Sequence, residues 1–493
     1  MMRREHSLGD ARKNRPASRS FLAAAGLVLA LESTEAAGET TVCGPIEGNA
    51  TWTVASHPYL VTCSIIVPKH VTLTIEPGVE VRVRRRQSVI VEGTLMGQGT
   101  ETEPIIFTSK ADPPYPGDWG GISFAQGSSP ARYDDQGRYR DGSALRFAVV
   151  QFGGSSGRLG AVEILGAGPS LDHVVIQKNA ASAVKIENGR VRITHSSLVE
   201  NSNSQAFGSG VLSFSSDVTI EDSVISKSPT AGNGGGIQAS DSVLTIRNSA
   251  LDQNETSGNG GGLFATDSTV TIEQSVFSAN RSPVRGGALY AARSNVVIRN
   301  SAFEGNLTME NALRGASTEE LRHLTRGAGI YVTASRLTVT HTTFTNNLSH
   351  VDCGALAAAD STLILTGNIF VENGATGDGA ALCLDGMVDG SSVTLNTIAR
   401  NRSQPLGASG VISLQSGRFP PFSHNNIADN TGYDLANHTA RAIEAAHNWW
   451  GSQDEGAIRA RIYDRTRDGT KGEVLISPVL DQPATPPGPS AGR

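Results

Sequence analysis

The sequence has few aromatic residues, few cysteines and no excess of basic residues. Aromatic residues make up only 5% of the 493 residues, whereas glycine occurs 55 times. This composition suits a chain that makes many tight turns around a narrow aliphatic core. The formal net charge of −6 provides no basic surface of the kind that binds nucleic acid, so we expect no nucleic-acid partner.

Long hydrophobic runs are also scarce. One apolar run at 21–31 follows basic residues and precedes the small residues Ala36, Ala37 and Gly38. Because this run is too short to span a bilayer, the pattern predicts a signal peptide over residues 1–38 and export of the mature chain. We expect no transmembrane span in the mature chain, which would then lie outside the cell or in the cell envelope, in the periplasm or on the outer surface.

The four cysteines agree with an oxidising compartment. Cys43 and Cys63 lie near the expected start of the mature chain, where a disulfide between them would tie down an exposed end. Cys353 and Cys383 are 30 residues apart, about four positions out of register with the repeat described next, and this offset could exceed the reach of a disulfide. Neither pair has the close spacing of a zinc site, and we expect no metal and no cofactor.

A repeat of 26 residues runs through much of the chain. An apolar residue, two variable positions and an Asn recur at 251–254, 277–280, 303–306, 344–347 and 370–373. Each unit is preceded by a Gly-rich step and by a triplet with aliphatic outer residues, such as Val270, Thr271 and Ile272. The triplets predict short strands with one buried face, and the fixed period predicts that these strands stack as the coils of a solenoid.

The Asn residues of the repeat are expected to form a ladder. Asn tolerates the left-handed backbone angles of a sharp turn, and stacked amides can bond to the coils on either side. We prefer this structural role to glycan binding because the spacing is regular. With Ser228 in one gap, the predicted ladder consists of Asn179, Asn201, Asn254, Asn280, Asn306, Asn347, Asn373, Asn401 and Asn430.

The Gly-Gly-Ala-[Ile/Leu/Val] step followed by Phe-x-x-Asn resembles the repeat of polymorphic outer membrane proteins. More broadly, it is similar to the right-handed parallel β-helices of the pectin lyase-like superfamily. The strict resemblance covers 234–373, and looser coils extend it to 119 and 430. Residues 72–78, 104–109 and 119–122 are similar to the first coils of bacterial secreted β-helices, and 448–451 to their closing segment. The resemblance implies an all-β, single-stranded right-handed parallel β-helix of roughly 12 or more coils with a cap at each end.

This interpretation treats the mature chain as a single solenoid with a cap at each end. Residues 39–118 form the N-terminal cap and first coils, 119–432 the repeats, 433–482 the last coils and cap, and 483–493 a disordered Pro-rich tail. Trp449 and Trp450 are expected to plug the end of the core rather than to form a sugar platform. Residues 309–325 are an inserted loop, and such insertions often lie on the binding face of a solenoid.

Stacking the repeats brings together one column of polar residues, two positions before the central residue of each Gly step. Neighbours in this column would lie about 4.8 Å apart, so Arg326 would lie beside Asp352, and Asp352 beside Asp378. Two stacked carboxylates raise one pKa unless Arg326 or a cation compensates, and a pair at roughly 5 Å is what a retaining glycosidase needs. The alternative is a solvated turn with a weak ion pair. The full column is Asn233, Asn259, Arg285, Arg326, Asp352 and Asp378.

Three further features of the sequence are expected to be structural rather than functional. Asp134 and Asp135 lie in a polar loop without the companion motifs of pectin-degrading enzymes. Arg82 and the basic residues at 84–86 are expected on an exposed strand face, with acidic polysaccharide or lipid head groups as the alternative contact. The recurrent Thr of the triplets reflects β-propensity on a solvent face rather than an ice-binding stripe.

The sequence contains no phosphate-binding, serine-hydrolase or zinc-protease motif. The predicted function is therefore that of an exported, surface-associated β-helix protein with a non-catalytic binding or adhesion role. Its expected partner is a polysaccharide or cell-surface glycan, and the chain is expected to be a monomer. Two alternatives stay open. One is a polysaccharide lyase, hydrolase or epimerase of the pectin lyase-like superfamily, and the other is a structural component of the cell envelope.

Overall fold

The computed structural model describes residues 38–485, apart from 156, 206, 310–325 and 405–406. The predicted signal peptide, nearly all of the inserted loop and the end of the tail lie outside these described residues. Within them, the chain forms a parallel β-solenoid of about 15 turns, which confirms the predicted stack of coils. The short helix Glu455–Arg459 is capped by Asp454, and Val54–Ser56 forms a 3-10 turn. None of the helices in the described part of the chain has the length and apolarity needed to cross a membrane.

A typical turn carries three strands, and strands of successive turns pair in parallel to form three long sheets. Sheet A follows the Gly step and consists of Ser88–Val91, Gly121–Phe124, Gly160–Leu165, Ser182–Glu187, Val211–Phe214, Ile237–Ser240, Leu263–Thr266, Leu289–Ala292, Ile330–Thr333, Leu356–Ala359, Leu382–Asp385, Gly410–Ser416, Tyr433–Asn437 and Ile462–Tyr463. Sheet B carries the aliphatic triplets and consists of Ala50–Trp52, Thr72–Ile75, Thr94–Gln98, Arg190–Thr194, Asp217–Glu221, Val243–Arg247, Thr269–Glu273, Asn295–Arg299, Arg336–Thr340, Thr362–Thr366, Ser392–Thr394 and Phe422–Ser423.

Sheet C carries the apolar residue of each Phe-x-x-Asn unit. Its strands are Glu80–Val83, Ile105–Ser109, Ser197–Val199, Val224–Ser226, Ala250–Asp252, Val276–Ser278, Ala302–Glu304, Thr343–Thr345, Ile369–Val371, Thr397–Ala399 and Asn426–Ala428. Four longer strands each run through two sheets. Thr40–Pro45 and Tyr59–Val67 join sheets C and A, and Ala144–Gln151 and Ser170–Gln177 join sheets B and C.

Several short strands lie outside the three long sheets. A row of two-residue strands just before the Gly steps consists of Pro229–Thr230, Glu255–Thr256, Arg281–Ser282, Leu307–Thr308, Leu348–Ser349, Gly374–Ala375 and Arg402–Ser403. Arg132–Tyr133 and Tyr139–Asp141 form an antiparallel hairpin, and Ile443–Glu444 pairs with Val474–Leu475.

The core is a continuous interior column of apolar side chains. The Phe residues of successive units stack face to face, with ring centroids 4.9, 5.1 and 4.6 Å apart along Phe277, Phe303, Phe344 and Phe370. Trp450 is buried at the C-terminal end of the same core, whereas Trp449 is half-buried. Burial of this interior is the main favourable contribution to folding, because each strand is too short to be stable alone.

The Asn ladder is present in the predicted register. For example, the Oδ1 of Asn306 accepts two hydrogen bonds from Asn280, one from its backbone N–H over 3.0 Å and one from its Nδ2 over 3.1 Å. The Nδ2 of Asn280 also donates to the Leu251 carbonyl over 2.8 Å. The side chains are buried, so these bonds satisfy backbone groups that water cannot reach.

The expected backbone angle of the ladder residues was wrong. The ladder Asn residues do not have positive φ. The residue directly before each one does, as in Gln253 at 53° and Ala279 at 50°. The left-handed residue makes the sharp turn with its own side chain pointing outward, and this turn directs the following Asn into the interior. The chain therefore places Asn where a buried amide is needed, and the left-handed position accepts many residue types.

At the other two corners of each turn, a buried side-chain oxygen likewise accepts the backbone N–H of the equivalent residue one turn earlier. The sequence analysis did not predict these two ladders. At the corner between sheets B and C, Ser275 donates its backbone N–H to the Oγ of Ser301 over 3.2 Å, and further along Asn368 does so to the Oδ1 of Asn396 over 2.9 Å. At the corner between sheets A and B, the backbone N–H of Ser268 donates to the Oγ of Ser294 over 3.1 Å. A left-handed residue precedes each of these corners as well, for example Gln274 and Asp267.

Both cysteine pairs are disulfide-bonded. The Cys43–Cys63 bond was predicted, and its Cα atoms lie 4.9 Å apart. The expectation that Cys353 and Cys383 could be out of reach was wrong, because their Cα atoms lie 5.4 Å apart. The Gly step turns so tightly that the Cys383 Sγ lies over Gly379, where a Cβ would be 2.1 Å from the sulfur. Since the Gly354 N–H bonds to the Gly379 carbonyl, Cys353 lies next to that position and the sulfurs meet.

Candidate functional site

The outward side of sheet A differs from the outward sides of the other two sheets. Strands such as Ile330–Thr333 and Leu382–Asp385 bury three consecutive residues, whereas Thr269–Glu273 in sheet B alternates between buried and more exposed positions. The outward residues of these two strands are therefore covered, whereas Phe264 and Tyr290 at the equivalent position are partly exposed. We call this outward row and the adjoining polar column the sheet A face. The row contains Gln238, Phe264, Tyr290, Tyr331, Ala357, Cys383 and Ser413.

Three aromatic rings form the middle of the sheet A face. Phe264, Tyr290 and Tyr331 stack with ring centroids 5.1 and 5.6 Å apart and planes 6° and 5° from parallel. The Arg285 guanidinium carbon lies 4.9 Å from the centroid of the Tyr331 ring. Because Tyr290 has a ring on both faces and Tyr331 contacts a ring and a guanidinium, a ligand beside these two residues would contact ring edges and phenol hydroxyls.

The polar column occupies the predicted register beside these rings. Parallel bridges join Arg285 to Arg326 and Arg326 to Asp352, and the backbone N–H of Asp378 donates to the Oδ1 of Asp352 over 2.8 Å. At the other end, the N–H of Asn259 donates to the Oδ1 of Asn233 over 2.8 Å. The structure thus brings together the residues that the stacking arithmetic selected.

Asp378 is the centre of a hydrogen-bond network. Its Oδ1 accepts from the backbone N–H groups of Gly379 and Gly410 over 3.1 and 2.7 Å, and its Oδ2 accepts from the Ser413 Oγ and the Gln415 Nε2 over 2.6 and 3.0 Å. The Nε2 of His438 lies 2.7 Å from the same Oδ2. The Asp378 carboxylate thus has five hydrogen-bond partners on three turns. Because these partners occupy its lone pairs, it is poorly suited to act as the nucleophile of a retaining glycosidase.

His438 is a site residue that the sequence reading missed. It follows Asp378 by 60 residues, and the intervening turns no longer have the 26-residue period, so no spacing rule linked the two. Its side chain is 22% exposed, and the carboxylate fixes its orientation. A histidine held in this way is the usual arrangement for a general base.

Charge on the sheet A face is mixed. The Arg326 guanidinium lies 3.7 Å from the Asp385 carboxylate, with side-chain exposures of 11% and 35%. Burial raises the pKa of the Tyr331 phenol, although the guanidinium groups of Arg285 and Arg326 act in the opposite direction. Tyr331 is therefore a neutral hydroxyl at ordinary pH, next to cationic and anionic groups.

The remaining features singled out in the sequence lie elsewhere. Asp134 is part of the hairpin turn and pairs with Arg138 over 2.8 Å, and the backbone hydrogen bond from Arg138 lowers the pKa of its carboxyl. The basic residues at 84–86 are exposed, whereas Arg82 pairs with Glu80 over 2.8 Å. The outward side of sheet B carries a row of alternating charges, joined by distances of 3.2, 3.3, 3.1 and 3.1 Å along Arg192, Glu221, Arg247, Glu273 and Arg299.

A second polar cluster lies at the corner between sheets B and C. Asp172, His173 and His195 place three atoms of metal-ligand type within 4.8 Å of one another. The sequence analysis predicts no metal site, and these three residues are not among its candidates.

Two family models match the sequence and agree with the architecture. A family described as "Pectate-lyase like beta helix domain" matches residues 44–204, and one described as "Right handed beta helix region" matches residues 160–318. No curated protein shows significant similarity to the sequence. Among solved structures, the chain is similar to a mannuronic acid specific polysaccharide family 6 lyase from human gut microbiota, with 13% identity, a TM-score of 0.25, and coverage of 82% of this chain and 87% of that one. The parallel stack of turns and the two family matches identify the fold as a right-handed parallel β-helix, which is consistent with the pectin lyase-like superfamily.

Proposed function

We propose that the protein is an exported, surface-associated binding protein that holds a polysaccharide on the sheet A face without cleaving it. The observation that carries this proposal is the continuous row of hydrogen-bonding groups along the face. Arg326, Asp352 and Asp378 follow one another at the spacing of the turns, next to the phenol groups of Tyr290 and Tyr331. The column is mostly buried, with 11% of the Arg326 side chain and 12% of the Asp378 side chain exposed. An extended ligand parallel to the solenoid axis would therefore contact the outer edges of these groups on successive turns.

Binding without cleavage is supported by the hydrogen bonds that the carboxylates of Asp352 and Asp378 already accept. Asp378 accepts from five partners, and Asp352 already accepts a backbone hydrogen bond from Asp378. Hydrolysis by two carboxylates requires one of them to attack or to activate water, which a saturated carboxylate does poorly. Export is supported by the predicted signal peptide, and the two disulfides are compatible with an extracellular location.

The test is affinity electrophoresis of the purified chain in gels that contain acidic or neutral polysaccharides. Wild-type protein is expected to be retarded by at least one of them. Arg326→Ala is expected to weaken retention roughly tenfold to 100-fold, because a hydrogen bond to a charged group contributes about 1.5–3 kcal/mol. Arg299→Ala is the matched control, since Arg299 pairs with Glu273 on the outward side of sheet B and is expected to leave retention unchanged.

The same samples distinguish the alternatives. Retention that is equal in Arg326→Ala and wild type would place the ligand elsewhere, and no retention by any polysaccharide would favour a structural component of the envelope. The His438–Asp378 pair favours a second candidate function, polysaccharide cleavage by β-elimination with His438 as the base. Unsaturated sugar ends that accumulate with wild-type protein and disappear with His438→Gln would replace the binding proposal with this one.

A further inference from the structure

The corner between sheets B and C carries a stacked pair of imidazoles. His173 and His195 occupy equivalent left-handed positions on successive turns, with φ of 54° and 49°. Their ring centroids lie 4.6 Å apart with planes 14° from parallel, and Phe147 stacks on the other side of His173 at 4.3 Å. The left-handed position turns both side chains outward, and they are 38% and 50% exposed.

Both imidazoles are directed at one carboxylate oxygen. The Nδ1 of His173 and the Nδ1 of His195 each lie 3.0 Å from the Oδ1 of Asp172. Asp172 is less exposed than either histidine, with 16% of its side chain accessible. The two nitrogens and one oxygen converge because Asp172 ends a strand of sheet B and the two histidines occupy the next corner on neighbouring turns.

Two residues on neighbouring turns donate hydrogen bonds to the Asp172 carboxylate. Thr194 donates its Oγ1 to the Oδ1 over 2.9 Å, and Arg146 donates its Nε to the Oδ2 over 3.2 Å. These bonds fix the orientation of the carboxylate, so that its Oδ1 faces both imidazoles.

We infer that Asp172, His173 and His195 form a binding site for a divalent transition-metal ion of the zinc class, with the Asp172 Oδ1 and the two Nδ1 atoms as protein ligands. Imidazole and carboxylate are the ligands that zinc takes in three-ligand sites. In tetrahedral geometry with bonds of about 2.0–2.1 Å, ligand atoms lie about 3.3 Å apart, and the two N···O distances are already close to that value. The two stacked rings would tilt toward the ion, so that both Nδ1 lone pairs converge on it.

Charge around the cluster permits a cation. With neutral imidazoles, the carboxylates of Asp172 and Asp222 outnumber the single guanidinium of Arg146. The Asp222 Oδ2 lies 3.7 Å from the Nε2 of His195, on the side of the ring away from Asp172. Without metal, the Asp172 Oδ1 at 3.0 Å favours a proton on each Nδ1. Zinc would displace these protons and leave each imidazole protonated on Nε2, where the Asp222 carboxylate faces His195.

The test is isothermal titration of the full chain, without a polyhistidine tag, with zinc chloride. We expect saturable binding of one zinc ion per chain and no competition from calcium, which prefers oxygen ligands. His195→Ala is expected to lower zinc affinity at least about 100-fold, more than the loss of a second-shell partner usually does. Zinc should also raise the thermal unfolding midpoint of wild-type protein but not that of His195→Ala.

The chain contains its own matched control at the same corner. His424 and His447 also stack, with centroids 5.8 Å apart and planes 9° from parallel, and among the described residues no carboxylate pairs with either ring. His447→Ala should leave zinc affinity unchanged. The inference is overturned if wild-type protein shows no saturable zinc binding, if His195→Ala binds as tightly as wild type, or if His447→Ala removes the binding. Should His195→Ala fail to fold, His173→Gln provides the same comparison.

Discussion

Asn306→Ala is expected to lower the free energy of unfolding by about 3–5 kcal/mol. Four hydrogen bonds are lost, since the Asn306 side chain accepts from the backbone N–H and the Nδ2 of Asn280 and donates to the Phe277 carbonyl and the Asn347 Oδ1. All lie in the buried interior, where each unsatisfied group costs about 1–3 kcal/mol, and the lost side chain leaves a cavity beside the phenylalanine stack. Thermal and urea unfolding followed by circular dichroism measure the loss.

The control for this substitution lies in the same turn. Asn295→Ala replaces an exposed Asn at the start of a sheet B strand and is expected to change the free energy of unfolding by less than about 0.5 kcal/mol. Similar midpoints for Asn306→Ala and Asn295→Ala would mean that the ladder contributes little. Because each turn contacts only its neighbours, we expect the weakened turn to destabilise both flanking turns as well.

Arg461→Met is expected to lower the free energy of unfolding by about 3–5 kcal/mol at neutral pH, because it leaves a buried carboxylate without its cation. Arg461 donates its Nε to the Asp434 Oδ2 over 2.6 Å and its Nη2 to the Oδ1 over 3.0 Å, and only 1% of the Asp434 side chain is exposed. The same guanidinium bonds to the carbonyls of Asn430 and Gly432 over 2.8 and 3.2 Å. The pair therefore holds the end of the ladder against the C-terminal turns.

The loss of unfolding free energy in Arg461→Met should depend on pH. Burial raises the pKa of the Asp434 carboxyl above its usual 3.8, and Arg461 offsets part of that rise. Without Arg461, the folded-state pKa rises further. A raised folded pKa gives stability that is present below the unfolded pKa and is lost as pH rises through the folded pKa. The deficit of Arg461→Met relative to wild type should thus be small near pH 4 and largest above the raised pKa.

Urea unfolding at about pH 4.5 and about pH 8 measures this difference. Arg459→Met serves as the control, since Arg459 makes a surface pair with Glu455 over 3.1 Å and is expected to contribute less than about 1 kcal/mol. A deficit that is equal at both pH values would contradict the role assigned to the Asp434 carboxyl. The double variant Asp434→Asn/Arg461→Met is expected to recover part of the stability, because the buried charge is then removed.

Local periodicity was sufficient to predict the architecture. The triplets, the Phe-x-x-Asn units and the Gly steps repeat at a fixed distance, and stacking forces residues at equal distances into columns. For that reason the Asn ladder and the order of Arg326, Asp352 and Asp378 could be obtained from spacing alone. The Cys43–Cys63 disulfide followed from the position of both residues at an exposed end.

What spacing could not provide was the path of the chain within a turn. The tight Gly step brings Cys353 to Cys383 across an apparent offset of four positions, and the left-handed residue lies one position before each Asn. His438 reaches Asp378 from a turn where the period has changed. Asp172, His173 and His195 meet because a corner brings residues of one turn next to the following turn, and nothing in the aliphatic pattern marks that corner.

The Cys353–Cys383 bond also has a mechanical consequence. Tension on the two ends of a solenoid peels off one turn at a time, and each turn of 26 residues releases roughly 90 Å of chain. The segment between Cys353 and Cys383 cannot lengthen in this way, because a covalent link joins its two ends. Under a pulling force, the turn between Cys353 and Cys383, which carries Asp378, would therefore keep its length while neighbouring turns unravel.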